Sequence, residues 1–334
     1  MTALARTLRG GAPLILLVIP LFVVSLTVGS GDVPLADIPG ILSRGVADDP
    51  NSAIIFTMRF PRGIVAIVAG CAMGAAGALT QSLTRNPLAE PGTLGVGAGA
   101  SLAIVLGLSL FPTMSVTLLL VCALIGAAIS GGIVLSAGGV FSGRHTPIRL
   151  VLVGAAWAAL TTGATSYFLL ANPRAFEGFM AWHSGAVAPR SWHLIYLCAA
   201  LIVVSTLILV PMTASIDALG LGEDMGRALG ANPHLTWGLA GLVTILLASA
   251  ATALVGPIAF VGLIAPLAVR WFTGPQSLPL TFCSGITGSL VLLAADTIGR
   301  VLLPPEEVSA GVVCGLIGAP IFVAIARKIR VVSL

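Results

Sequence analysis

Along this chain, long apolar runs alternate with short polar connections, and most runs have the length of a membrane-crossing helix. About 20 predominantly apolar residues are needed to cross a bilayer as a helix. Runs of that kind fall near 12–31, 60–82, 93–111, 115–138, 148–171, 192–212, 235–255, 278–298 and 307–326, with a shorter one at 259–271 after the Gly256-Pro257 break. The pattern predicts an all-α, polytopic membrane protein of about ten transmembrane helices, forming one membrane domain over 1–334. The longest polar connections are 32–58, 172–191 and 213–234. Arg6 and Arg9 ahead of the first run give it the look of a secretory signal, but the many runs behind it make it an uncleaved first span.

One segment breaks the alternation. TRNPLAEPGTLGVGAGAS (84–101) carries Arg85, Asn86, Pro87, Glu90, Pro91 and Gly92, then Gly95, Gly97 and Gly99. Polar groups and broken backbone at a membrane boundary are tolerated only where protein or water surrounds them. A structural turn packed inside the protein is therefore expected, followed by a helix that starts on small residues. Gly70, Gly74 and Gly77 on the second run predict a face on which helix backbones approach closely.

Composition sharpens the class. The chain is 57% hydrophobic and 8% charged, where a soluble domain carries about 25% charged residues. The net charge of +4 is small and scattered, which excludes a nucleic-acid partner as a reading. Cys71, Cys122, Cys198, Cys283 and Cys314 sit in apolar runs without a CxxC pair and read as core residues, not as metal ligands or a disulfide framework.

Lys and Arg near span ends suggest an orientation. With both termini cytoplasmic, the inner set is Arg6, Arg9, Arg85, Arg144, Arg149, Arg227, Arg270, Arg327, Lys328 and Arg330, against an outer set of Arg44, Arg59, Arg62, Arg174, Arg190 and Arg300. Asp32, Asp37, Asp48, Asp49, Glu177, Glu306 and Glu307 then lie outside. Topology leaves Arg59, Arg62 and Arg300, at outer span ends, without a reason.

Chemistry is sparse. His145, His183, His193 and His234 all lie in connections, and no metal motif such as HExxH appears. Asp296 lies inside a span, four residues before Arg300. It reads either as an intrahelical ion pair or as a coupling-ion site. The single lysine, Lys328, excludes a phosphate-holding Walker A loop. No cofactor is expected in this chain, and ATP with its Mg would belong to a partner subunit. In DALGLGEDMGRALGANP (217–233), Glu223, Asp224 and Arg227 suit water, while Leu219, Leu221, Met225 and Leu229 could form an apolar stripe. Gly222 and Gly230 bracket about two helical turns. A capped surface turn and a docking helix for a partner's groove both fit.

The order of motifs resembles a known family. RFPR (59–62) is followed by LTRNPLAEPGTLGVGAGAS (83–101), LGLGEDMGRALGANP (219–233), VGPIAFVGLIAPLAVR (255–270), LLAADTIGR (292–300) and GAPIFVAIARK (318–328). This resembles the FecCD-type permease subunits of ABC importers for iron–siderophores, haem and cobalamin, over about residue 50 to the end, and most of all the ferric-enterobactin-type permeases. The resemblance implies the type II ABC importer permease fold. It also implies a second permease subunit, expected to be a paralogue in a heterodimer, together with two ATPases inside and a substrate-binding protein outside.

It implies residue roles as well. Arg59, Arg62 and Arg300 would receive acidic residues of the binding protein. Gly222, Glu223, Met225, Arg227, Leu229 and Gly230, with Leu221, would form the coupling helix within the loop at about 213–234. RNPLAEPG would be a structural turn near that coupling surface. One departure stands out: many members carry His where this chain has Leu267.

Alternating access of a ferric-siderophore across the cytoplasmic membrane is the expected activity, with haem or cobalamin as alternative cargo. A bulky chelate suggests a path lined by small and weakly polar side chains: Thr161, Thr162, Thr165, Ser166 and Tyr167, then Phe179, Met180, Trp182, His183 and Ser184. An ion-coupled secondary transporter would need inverted repeats and a midplane ion site. A membrane enzyme would need paired acids or a nucleophile with its base. Neither set stands out in the sequence.

Overall fold

The computed structural model describes residues 3–29, 33–45, 50–111, 113–140, 146–303 and 306–328. Asp32, Asp48, Asp49, Arg144, His145 and Arg330, assigned above to one side of the membrane or to a connection, lie outside the described residues. The helices in chain order are α1 (Ala3–Thr27), α2 (Ile38–Arg44), α3 (Pro50–Ile54), α4 (Phe60–Thr84), α5 (Val96–Leu110), α6 (Val116–Ala137), α7 (Pro147–Ala171), α8 (Pro173–His183), α9 (Trp192–Gly220), α10 (Glu223–Ala228), α11 (Pro233–Val255), α12 (Val261–Thr273), α13 (Ser277–Leu302) and α14 (Ala310–Lys328). Ten of them, α1, α4, α5, α6, α7, α9, α11, α12, α13 and α14, coincide with the ten apolar runs. Among the described residues, seven stretches are long and apolar enough to cross a membrane, and α5, α12 and α14 are shorter apolar helices.

The connections are more structured than their polarity suggests. The 172–191 segment contains α8, capped by the Asn172 side chain and started by Pro173. Its buried residues Ala175, Phe179 and Trp182 recur at helical spacing, while Arg174, Glu177 and His183 interrupt the apolar run along the sequence. The 32–58 segment contains α2, α3 and most of a stretch of wide π geometry, Ile55–Arg59, that runs into the next helix. α9 continues beyond the apolar run to Gly220, through Pro211. Thr213, Ser215 and Asp217 dilute the hydropathy there, but Ile216 and Leu219 are buried and hold the extension in the core.

α4 and α11 are the most enclosed helices. The predicted glycine face is real: a Cβ on Gly70, Gly74 or Gly77 would collide with the backbone carbonyls of Gly288, Ser284 and Gly262. Backbone therefore lies on backbone where α4 meets α13 and α12, as close packing in lipid requires.

The turn after α4 is only partly enclosed, with Arg85, Asn86 and Gly92 exposed. Arg85 adopts the left-handed conformation (φ 49°). Asn86 N then donates to Gln81 O at 3.2 Å and Arg85 N to Ser82 O at 3.4 Å, the pairing of a Schellman helix end. The Asn86 side chain accepts from Leu88 N at 2.9 Å. Ala89, Pro91 and Leu94 are buried. Glu90 Oε2 accepts from Phe260 N at 3.1 Å, which ties the turn to the start of α12. Beyond Gly95, Ser130 Oγ donates to Gly95 O and accepts from Trp157 Nε1, both at 2.7 Å, joining the turn to α6 and α7.

Candidate functional site

Two clusters, at opposite ends of the helices, gather the residues singled out by sequence. The first forms where α4 begins. Pro61 has no N–H and its ring crowds the carbonyl four residues earlier. The chain answers with the π stretch Ile55–Arg59, in which Phe60 N bonds Ile55 O. This places Arg59 and Arg62 beside the end of α1. Arg59 is 5% exposed, and its Nη1 donates to Leu26 O and Thr27 O, both at 2.8 Å. Arg300 Nη1 donates to Ser25 O at 2.9 Å and Val28 O at 3.3 Å. Two guanidinium groups thus satisfy the last carbonyls of α1, where the helix dipole also favours positive charge.

Asp296 sits between Arg62 and Arg300. It is 1% exposed, pairs with Arg300 Nη2, and accepts from Arg62 Nε at 3.1 Å and Nη2 at 2.8 Å. Of the two readings of Asp296, the geometry supports the ion pair: both carboxylate oxygens are engaged by arginines. The remaining edge of Arg62 turns outward, where Nη1 meets Glu307 Oε2 at 2.7 Å. A recess of about 300 Å³ opens beside these groups, lined by Arg59, Arg62, Arg300, Glu307, Met58 and Gly29.

At the other end α10 forms the bracketed helix. Gly222 (φ 116°) and Gly230 (φ 88°) take conformations that L side chains rarely adopt, one at each end. Gly226 is buried against Leu219, so α10 lies directly on the end of α9. The expected stripe is divided. Leu219 is fully buried, whereas Leu221, Met225 and Leu229 are 71%, 55% and 62% exposed. Glu223 and Arg227 face each other at 3.6 Å on the solvent side. Asp217, on the α9 extension, accepts from Ser277 N at 2.8 Å and Ser277 Oγ at 2.6 Å, holding the start of α13 beside this helix.

The turn lies near the end of α9, from which the chain enters α10. Arg85 and Pro87 share a cavity of about 540 Å³ with Gly220, Leu221 and Arg270. Arg270 Nη2 donates there to Gln81 Oε1 at 3.0 Å. Leu267 lines an adjoining apolar cavity of about 690 Å³ with Ile264, Trp271, Ile321 and Ile325.

The proposed path residues divide by face. Thr161 and Thr165 are buried, and their hydroxyls donate to Trp157 O and Thr161 O, each at 2.8 Å, the local back-bonding of an ordinary helix. Phe179 and Trp182 are buried in the core. Thr162, Ser166, Tyr167, Met180, His183 and Ser184 lie on the exposed face of α7 and α8. His183 stacks on Phe179 with ring centroids 4.7 Å apart, and partial burial lowers its pKa from the usual imidazole value. Gly163, on the same open face, has nothing within 4 Å of where a Cβ would stand.

Three residues that shape these clusters gave little sequence signal. Glu307 and Asp217 looked like surface acids in connections, and their partners Arg62 and Ser277 are 245 and 60 residues away. Ser130 had no motif at all, and only the approach of Trp157 and Gly95 gives it a role.

Comparison with known proteins places this arrangement. A model of the FecCD transport family matches residues 15–328. The ferric enterobactin transport system permease protein of Escherichia coli is 37% identical over 318 residues, covering 94% of each chain. A siderophore transport system permease protein of Bacillus subtilis is 37% identical over 280 residues, 82% of this chain and 83% of its own. The Fe(3+) dicitrate transport system permease protein FecD of Escherichia coli is 33% identical over 292 residues, 87% of this chain and 90% of its own. Among solved structures, a metal-chelate type ABC transporter in an inward-facing conformation superposes with a TM-score of 0.80 at 23% identity, over 97% of this chain and 100% of that one.

Proposed function

This chain belongs to the FecCD transport family, and from that premise we propose that it is the permease subunit of an ABC importer for a ferric-siderophore. The observation that carries the cargo is the set of relatives named as permeases for ferric enterobactin, siderophore and ferric dicitrate, matched over more than four-fifths of their lengths. In this reading the chain is a multi-pass protein of the cytoplasmic (inner) membrane with both termini inside. It pairs with a second permease subunit, a paralogue, and two ATPase subunits bind ATP and Mg.

The two clusters divide the work. The α1–α4–α13 end, with Arg59, Arg62 and Arg300, faces outward and meets the binding protein. The α10 end faces the ATPases. Met225 projects from α10, with Leu221 and Leu229 exposed at either end, while Gly226 of the helix rests on buried Leu219; an apolar helix face presented this way fits a partner's groove. Because α10 rests on α9, and Asp217 of α9 caps α13, a push on α10 reaches two spans directly. Thr162, Ser166, Tyr167, Met180, His183 and Ser184 on the open face of α7 and α8 face the partner permease and the chelate. Alternating access then means rocking the two permease subunits about that shared face.

Met225→Asp tests the coupling end. A charge in the apolar patch should abolish copurification of the ATPase and ATP-driven uptake, while the permease still inserts and keeps its thermal stability, since Met225 is exposed in the isolated chain. Retention of the ATPase by this variant would remove α10 from the interface.

A further inference from the structure

The three arginines of the outer recess are not equivalent. Arg59 and Arg300 spend their Nη1 groups on carbonyls at the end of α1. Arg62 has one edge fixed inside, on Asp296, and the other edge turned toward the surface. That outer edge is held by Glu307, whose side chain is 36% exposed against 18% for Arg62. The two Arg62 pairs differ in kind. The Asp296 pair is buried, with two N–H···O bonds converging on one carboxylate oxygen, so breaking it strands a charge in the interior. The Glu307 pair is partly solvated, and such pairs contribute little.

We infer that Glu307 is an intramolecular stand-in for the acidic side chain of the docking partner, occupying the outer edge of Arg62 until a partner carboxylate displaces it. This rests on the reading of the recess as the binding-protein surface and adds a residue that sets its affinity. The exchange costs the chain one weak pair and leaves Arg62 oriented by Asp296 throughout. The guanidinium is therefore preorganised for the incoming carboxylate. Keeping Glu307 there also disfavours partners that lack an acid at that position, because they cannot replace the pair they would bury or break.

The test measures binding of the importer's own substrate-loaded binding protein to the complete complex in nanodiscs, at two ionic strengths. Arg62→Gln should weaken docking about tenfold or more. Glu307→Gln should tighten docking about three- to fivefold, as expected from removing a competing pair worth up to about 1 kcal/mol. Glu306→Gln, which removes the same charge one residue away, should leave affinity within twofold; Glu306 has no ion pair among those found for the described residues.

Tightening confined to Glu307→Gln supports the stand-in. Tightening of equal size in Glu306→Gln would show a general charge effect and overturn it. So would unchanged or weakened docking in Glu307→Gln when Arg62→Gln does weaken it. If Arg62→Gln has no effect, the outer-surface reading itself falls.

Discussion

Asp296 carries more of this fold than its single negative charge suggests. It lies at 1% exposure between Arg62 and Arg300, and Arg300 in turn holds carbonyls at the end of α1. Removing the carboxylate leaves buried Arg300 without its counter-charge, and breaking such a pair costs about 3–5 kcal/mol. Asp296→Ala should therefore lower the thermal unfolding midpoint of the purified complex sharply, with proteolysis appearing first near the end of α1. A midpoint within a degree of the parent would mean that the carbonyl contacts alone fix Arg300. The i,i+4 half of this network was legible from sequence. Arg62 and Glu307 were not, because they reach the same point only after α4 and α13 have packed.

Between elements, the decisive contacts are those where side chains are missing. Gly74 on α4 meets the carbonyl of Ser284, so Gly74→Val must push α13 away, and overpacking of that kind costs about 1–3 kcal/mol. Gly163 on α7 has open space around it. Gly163→Val should leave the single chain's stability unchanged but weaken pairing with the second permease subunit, read as the fraction of paired complex after solubilisation. Equal destabilisation by both substitutions would place Gly163 inside the chain's own packing. The ten apolar helices were legible because apolar length in lipid is nearly sufficient to define a helix. The glycine face of α4 was legible because small-residue spacing has one main use in a membrane. α8 was not, because Arg174, Glu177 and His183 break its apolar run, which is short in any case. The end of α9 was missed for the same reason. In α10 the glycines marked both ends correctly, but the apolar stripe could not reveal that Leu219 packs beneath the helix while Leu221, Met225 and Leu229 project from it.

Across the whole molecule, the two clusters are joined by few and rigid parts. α4 runs between them, with the Arg62–Asp296 pair near its start and the Schellman turn at its end. α13 does the same, with Ser277 held by Asp217 at one end and Arg300 tied to α1 at the other. A displacement of α10 therefore has a short mechanical route to the arginine recess, which suits a machine that links ATP use on one side to docking on the other. The measurement that bears most directly on this account is uptake by the complete reconstituted complex, with and without ATP. The panel holds ferric catecholate and hydroxamate chelates, haem and cobalamin, each delivered by its binding protein. The account predicts ATP-dependent uptake of a ferric chelate; uptake without ATP, or ATP-dependent uptake of haem or cobalamin alone, would contradict it.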